Sequence, residues 1–466
     1  MQRKTIFYFQ RLFIFKQFVL ITFADDLICM EKKGFYIETY GCQMNFSDSE
    51  IIASVLKNNF FEFEPDMNKA DLILLNTCSI RENAEQKVFN RLTHLKYLKR
   101  KNKSLIIGLL GCMAERLKEE LFAEGVVDLV AGPDSYRELP QLIASIEGGH
   151  KAFNVMLSAE ETYADINPVR INTNGISAFI SIMRGCQNFC SYCVVPFTRG
   201  KERSREPETI VAEARKLFDD GFKEITLLGQ NVNSYTFNNI GFPKLMAMVA
   251  EINPALRIRF ATSHPKDLSD DLIDVVAAYP NICKAIHLPL QSGSDAMLKL
   301  MNRRYTRDYY LSRVDAIYKK IPDCAISTDI IAGFCTETDQ DHQDTLSAMR
   351  AAKIDYAFMF KYSQREGTKA AETLKDDVPE DVKTQRLNDI IALQRELSMV
   401  SNKRDKGKVF EVLVEGTSKR SATQLTGRTS QNKVVVFTDT EHTMGDYVQV
   451  RITDCTSGTL KGEVVV

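Results

Sequence analysis

From residue 34 onward, short apolar runs alternate with stretches whose apolar residues recur at helical spacing. Residues 34–40, 71–76 and 104–110 read as strands, and 49–56 and 82–99 as helices. This order predicts an α/β domain, an open and mostly parallel sheet with helices on its faces. A loop-like run over 149–175, containing Asp165-Ile-Asn-Pro168, marks a boundary. A second series then follows, with strands expected at 178–183, 224–228, 257–261, 284–288, 325–331 and 356–361, separated by helices such as 208–219 and 270–278. Six parallel βα units predict a partial (βα)6 barrel, with its active site at the carboxyl ends of the strands. After a helical stretch at 384–401 the helices stop. Residues 409–414, 433–437, 446–452 and 460–466 alternate with turn residues and predict a small antiparallel β-barrel. The expected domains are 31–150, 172–402 and 405–466.

The first 27 residues break this pattern. Arg3 and Lys4 precede an aromatic-rich apolar run over 12–23, which imitates a signal peptide, yet Lys16 interrupts the run and no small-x-small cleavage site follows. Met30 directly precedes Glu-Lys-Lys and the first strand, so an over-extended start codon accounts for the segment as well, and 1–30 is expected to lie outside the fold. No other stretch is apolar for long enough to span a bilayer, so no membrane partner is expected.

Composition narrows the class. A chain of 466 residues calls for two or three cores, and 44% hydrophobic with 26% charged residues is ordinary for a folded soluble protein. The formal net charge of −1 means that a nucleic-acid partner must be held by a local basic patch. Eleven cysteines, an odd number and partly clustered, fit a reducing cytoplasmic compartment and cluster ligation better than a disulfide framework.

Six of these thiols carry the chemistry. Arg184-Gly-Cys186-Gln-Asn-Phe-Cys190-Ser-Tyr-Cys193 places a C-x3-C-x2-C triplet directly after an expected strand. Three thiolates hold three irons of a four-iron cluster and leave the fourth open to an exogenous ligand. A structural zinc site would need a fourth Cys or His, and none lies nearby in sequence. Cys42, Cys78 and Cys112 each follow one of the first three strands, so they are expected to converge at one sheet edge. Two incomplete ligand sets argue against a pure electron-transfer protein, whose clusters normally have every iron bound by protein.

The first triplet resembles the radical S-adenosylmethionine superfamily. Together with Tyr40-Gly-Cys42-Gln-Met-Asn45, Asn76-Thr-Cys78-Ser-Ile-Arg-Glu-Asn83 and Gly111-Cys112-Met-Ala-Glu115, the chain resembles the methylthiotransferase family over residues 34–466, its last barrel occupying the place of the TRAM domain. Val194-Val-Pro-Phe-Thr-Arg-Gly200, Leu228-Gly-Gln-Asn-Val-Asn233, His287-Leu-Pro-Leu-Gln-Ser-Gly-Ser-Asp295 and Gly427-Arg-Thr-Ser-Gln-Asn-Lys-Val434 look most like its tRNA-modifying branch. That resemblance implies two 4Fe-4S clusters, on Cys186, Cys190 and Cys193 and on Cys42, Cys78 and Cys112, together with S-adenosylmethionine. It implies conversion of N6-isopentenyladenosine at position 37 of tRNA, next to the anticodon, to its 2-methylthio derivative. The chemistry would run at the clusters, without a side-chain acid or base. The partners implied are that tRNA and an electron donor of the flavodoxin or ferredoxin type, with the enzyme a monomer. Sibling branches act on an aspartate of a ribosomal protein or on threonylcarbamoyladenosine. Two loops depart from the family pattern: Gly333-Phe-Cys335-Thr-Glu337 carries Cys for a common Pro, and Ser363-Gln-Arg-Glu-Gly367 lacks a usual Pro.

Weaker candidates surround this centre. Gln230 and Asn231 follow the second strand of the half-barrel, where the superfamily presents a segment to the cofactor, and Gln291, Ser292 and Gly293 end the fourth strand; all five are expected to bind S-adenosylmethionine. Arg199, Lys201, Arg203 and Arg205 form a basic run suited to RNA phosphates, and Arg303, Arg304 and Arg307 form another. From Arg404 onward nine basic residues face eight acidic ones, so the terminal barrel must recognise RNA by arrangement, with Arg428 the leading contact. His264 and His287 are assigned no catalytic role. Cys29, Cys283, Cys324, Cys335 and Cys455 match no ligand pattern and read as small apolar residues.

Overall fold

A computed structural model describes residues 32–465 other than 80, 81, 172 and 420, so the extension expected at 1–30, with Cys29, lies outside the described residues. Runs without alternation become central parallel strands, because helices cover both faces of such a sheet. Leu72–Thr77 and Ile106–Gly111 are buried at every position. They lie in a six-stranded sheet ordered Phe61–Phe63, Lys33–Thr39, Leu72–Thr77, Ile106–Gly111, Leu129–Ala131 and Ala152–Asn154. All neighbours pair in parallel. The three-residue strands had no detectable period and were not anticipated.

The first helix departs from its expected bounds. It runs Gln43–Lys57, starting well before residue 49, with Cys42 as its N-cap. Asn45, Ser47, Asp48, Ser49 and Glu50 are buried polar residues within it, and a helix buried all round, as this one is from Ser47 to Leu56, does not show amphipathic periodicity. Ser49 turns to its own sheet, meeting Thr39 Oγ1 at 2.7 Å and Asn76 Nδ2 at 2.9 Å, while Asp48, Glu50 and Ser54 reach toward the central domain. Asp48 accepts from Arg184 Nη1 at 2.8 Å and from Arg199 Nη2 at 2.7 Å. Arg170 bridges Glu50 and Glu213, and Ser54 Oγ donates to the carbonyl of Asn167 at 2.8 Å.

The six central strands form as two three-stranded parallel sheets. Ser177–Ser181, Glu224–Leu228 and Arg257–Phe260 make one, and Ala285–His287, Ala325–Ala332 and Tyr356–Lys361 the other. A single bridge between Ile258 and Ile282 joins them. Among the described residues no pairing closes Tyr356–Lys361 onto Ser177–Ser181, so the structure is a half-barrel with an open side. Helix Glu380–Arg404 packs along the last strand and leads into the terminal domain.

That domain is a closed barrel of five strands, Val409–Ser418, Ser421–Thr429, Val434–Thr438, Leu460–Val464 and Tyr447–Cys455. Ser421–Thr429 was missed because Leu425 is its one large apolar residue. The barrel is not wholly antiparallel, since Val434–Thr438 pairs in parallel with Leu460–Val464. It docks on the amino ends of the half-barrel strands. Arg257 donates to the carbonyl of Arg428 at 2.8 Å, Arg259 to that of Thr429 at 2.8 Å, and Tyr447 to that of Lys223 at 3.0 Å.

The Asp48 contact yields a direct test. Replacing Asp48 by Asn leaves two buried guanidiniums without their shared carboxylate, a loss of about 3–5 kcal/mol for a broken buried ion pair. The denaturation midpoint of Asp48→Asn should fall far more than that of Asp323→Ala, which removes an exposed partner of Lys408.

Candidate metal centres

Strand order brings the first three thiols together. Lys33–Thr39, Leu72–Thr77 and Ile106–Gly111 are adjacent and parallel, so Cys42, Cys78 and Cys112 emerge side by side at their carboxyl ends. Two glycines permit the crowding. Gly41, at φ 116°, would place a Cβ 2.3 Å from Cys78 Cβ, and Gly111, at φ 88°, would place one 2.5 Å from Asn76 Oδ1. Cys78 and Cys112 are buried. The Cys42 S–H donates to Asn45 Oδ1 at 3.5 Å, and Asn45 is anchored by its own Nδ2 on the carbonyl of Tyr40 at 2.9 Å. A hydrogen bond with Cys78, aided by the charge of Arg199, draws the Cys42 thiol down to about 6 against the effect of burial. Burial pushes the Cys112 thiol up, while Arg199 opposes it.

The second triplet lies on the loop between Met183–Arg184 and helix Val195–Arg199. The loop is tied at several points: Cys186 N–H donates to the carbonyl of Gly200 at 3.1 Å, Cys193 N–H to that of Cys190 at 2.9 Å, and Ser191 N–H to that of Met301 at 3.0 Å. Asn302 Nδ2 holds the carbonyl of Phe189, a residue in the left-handed region at φ 48°, at 2.8 Å. Arg303 Nη1 donates to Cys190 Sγ at 3.4 Å. Burial pushes the Cys186 thiol up to about 11 and the Cys193 thiol higher, so a bound metal must supply the energy for deprotonating them.

Among the described residues no three His, Cys, Asp or Glu side chains stand close enough to share one metal ion. A four-iron cluster carries its thiolates on separate irons and needs wider spacing than a single ion does. Unpaired donors support the fit. Arg199 Nη1, on the guanidinium beside Cys112, is buried without a partner among the described residues. At the carboxyl ends of Glu224–Leu228 and Arg257–Phe260, Gln230 Oε1, Asn231 Oδ1, both amide atoms of Asn233, Ser263 Oγ and His264 Nε2 are likewise buried and unpaired. Each such group costs about 1–3 kcal/mol unless a ligand satisfies it, and together they suit a small, polar, zwitterionic ligand such as S-adenosylmethionine.

Other expected site residues fall elsewhere. Asn231 Nδ2 is held by Asp267 at 2.7 Å, with only its oxygen left over. Gln291 is buried at φ 68°. Ser292 and Gly293 pack on helix Asp339–Ala352: the Ser292 hydroxyl meets Thr345 Oγ1 at 3.2 Å, and a Cβ on Gly293 would lie 2.5 Å from the carbonyl of Asp344. Both serve that turn, where Gly293 N–H also donates to Thr345 Oγ1 at 3.0 Å. The basic run points inward. Arg199 is 2% exposed and Arg203 6%, paired to Asp48 and Asp134 across the domain contact, and Arg205 pairs with Glu213 at 2.7 Å. None of the three can reach an RNA phosphate in this packing. Lys201 remains exposed. Arg428 lies on the terminal barrel, hydrogen-bonded to Glu415 at 3.3 Å and Asn432 at 3.1 Å. Asn233 and Ser263 escaped sequence reasoning, and His264 was set aside as structural; the signal available was their place just beyond strand ends.

Family models match three segments: "Uncharacterized protein family UPF0004" over residues 34–132, the radical SAM superfamily over 180–349 and the TRAM domain over 403–465. Fold and cysteine loop thus define a radical S-adenosylmethionine enzyme. The chain is 58% identical to the tRNA-2-methylthio-N(6)-dimethylallyladenosine synthase of Bacteroides fragilis over 447 residues, 95% of this chain and 97% of that protein. It is 57% identical to the synthase of the same name from Porphyromonas gingivalis over 442 residues, 93% of this chain and 96% of that protein. At these identities the chain belongs to the tRNA-2-methylthio-N(6)-dimethylallyladenosine synthase family. Among solved structures, the radical S-adenosylmethionine methyltransferase TsrM from Kitasatospora setae is 14% identical, with a TM-score of 0.58, covering 73% of this chain and 77% of that one. That likeness concerns fold alone.

Iron content separates the two triplets. A chain with two four-iron clusters holds about eight irons. Replacing Cys42, Cys78 and Cys112 together by Ala, or Cys186, Cys190 and Cys193 together, should each leave about four after anaerobic reconstitution. A triplet whose removal leaves the iron count unchanged is not a cluster site.

Proposed function

We propose that this chain converts isopentenyladenosine next to the anticodon of tRNA to its 2-methylthio derivative, using S-adenosylmethionine and two iron-sulfur clusters, one on each cysteine triplet. The single observation that carries the two-cluster reading is Arg199, which leaves the loop of one triplet and hydrogen-bonds to Cys112 of the other. When bound, the cofactor and the cluster on Cys186, Cys190 and Cys193 supply a radical able to take hydrogen from an unactivated adenine carbon, and the second cluster supplies the sulfur.

The chain's own residues bind and orient. Gln230, Asn233, Ser263 and His264 offer polar atoms to the cofactor at the mouth of the half-barrel. Burial holds His264 neutral, with a pKa depressed to about 2, so its Nε2 interacts without adding charge beside a sulfonium. The N-terminal domain grips both flanks of the cysteine loop through Arg184, Arg199 and Arg203 and fixes its position, leaving the loop itself open to substrate. A base must be displayed from an unpaired loop to enter such a site. Electrons come from a donor of the flavodoxin or ferredoxin type, and the working unit is a monomer.

The variant with Cys42, Cys78 and Cys112 replaced by Ala should still form 5′-deoxyadenosine while its methylthio product vanishes. Nucleoside analysis of tRNA incubated with both forms reads this out. Normal product yield from the variant would make the first domain structural, and product on threonylcarbamoyladenosine would move the substrate to the sibling branch.

Arg428→Glu should weaken tRNA binding and lower the slope of log affinity against log salt by about one, with cofactor cleavage in the absence of tRNA unchanged. Equal affinity for both forms at low salt would make Arg428 a partner of Glu415 only.

A further inference from the structure

Elsewhere in the domain contact Arg170 is matched by Glu50 and Glu213, while around Asp48 and Asp134 the contact gathers buried guanidiniums. Arg184, Arg199 and Arg203 are buried there, facing the carboxylates of Asp48 and Asp134. Arg203 takes Asp134 through both nitrogens, at 2.8 and 3.1 Å, and Arg184 takes Asp48 Oδ1 at 2.8 Å. Arg199 shares Asp48 through Oδ2 at 2.7 Å. Three guanidiniums thus face two carboxylates, and Tyr136 and Tyr163, the phenols packed among them, are held neutral because burial raises both pKa values. An unbalanced buried cation is costly unless an anion stands beside it.

The remaining contacts of Arg199 show where that anion belongs. Its Nε donates to Cys112 Sγ at 3.2 Å, and its Nη2 also donates to Asn45 Oδ1 at 3.1 Å, the oxygen that accepts from Cys42. Its Nη1 is buried with no partner among the described residues. One side chain from the central domain therefore touches Cys112 directly, reaches Cys42 through Asn45, and keeps a donor in reserve. A four-iron cluster on three thiolates is anionic and becomes more so on reduction, and hydrogen bonds to its sulfurs raise its potential.

Resting on the reading that Cys42, Cys78 and Cys112 hold a cluster, we propose that Arg199 is the counter-charge and sulfur-directed donor of that cluster, a positioning residue that raises its reduction potential and ties the site to the segment following Cys193. Arg199 acts on one cluster only. The other has a separate guanidinium, Arg303, at Cys190.

The test is redox titration of anaerobically reconstituted full-length protein, followed by electron paramagnetic resonance, with iron per chain and the melting midpoint recorded alongside. Arg199→Lys and Arg199→Gln are each placed in two backgrounds, one with Cys186, Cys190 and Cys193 changed to Ala, the other with Cys42, Cys78 and Cys112 changed to Ala. The N-terminal cluster should shift to more negative potential in both substitutions, further in Arg199→Gln, while the central cluster stays where it was. An unchanged N-terminal potential in an iron-loaded Arg199→Lys variant overturns the proposal. An equal shift at both clusters does the same, since that is a global effect. If Arg199→Gln holds no iron, Arg199→Lys decides. Loss of iron from both, with an unchanged melting midpoint, makes Arg199 a requirement for assembly and overturns the tuning role. If no cluster forms with Arg199 intact and only the first-domain thiols present, the two-cluster reading itself has failed.

Discussion

Asp48 and Asp134, buried beneath the cysteine loop, are where two domains become one structure. Their guanidinium partners all come from the segment between residues 184 and 203, which also holds the C-x3-C-x2-C loop. Buried ion pairs add little net stability, because desolvation cancels most of the attraction, but a wrong register leaves charges bare. The network therefore fixes how the first domain sits on the half-barrel. It explains why Gln43–Lys57 buries the carboxylate of Asp48 and why the basic run points inward.

The same low dielectric governs the thiols. Burial raises Cys112, Cys186 and Cys193 and works against the thiolate that a metal requires. Each triplet has one guanidinium directed at a sulfur, Arg199 at Cys112 and Arg303 at Cys190. In a polar surrounding these contacts would be screened; in a buried one each favours negative charge on the sulfur it reaches. Residues suited by type to RNA phosphates are instead internal counter-charges, and of that run only Lys201 stays exposed.

Terminal barrel and cysteine loop occupy opposite ends of the half-barrel strands. The docking contacts gather at Lys223, Arg257, Arg259 and Lys284, and the unpaired polar atoms at residues 230–233 and 263–264. The length of the half-barrel strands thus separates Arg428 from the cysteine loop.

Much of this was legible in the chain. Six central strands, three of the six in the first sheet and four of the five barrel strands follow from apolar or alternating runs of strand length, because a strand buried on both faces needs the first and one buried on a single face the second. The two cysteine triplets were legible because ligand spacing in a tight loop is local, and because a thiol after each of three successive strands has one place to go. Short strands and the polar strand Ser421–Thr429 were not, since three residues have no period and a Gly-Arg-Thr run resembles a turn. Tertiary structure alone decided which arginines face solvent, that Ser292 and Gly293 serve a helix contact, and that His264 and Asn233 keep unpaired atoms at the mouth. Sequence determines a residue's chemistry and its immediate neighbours. Whether a charge is solvated or buried depends on what the rest of the chain folds over it, and here that is a first domain whose own sequence shows no sign of the contact.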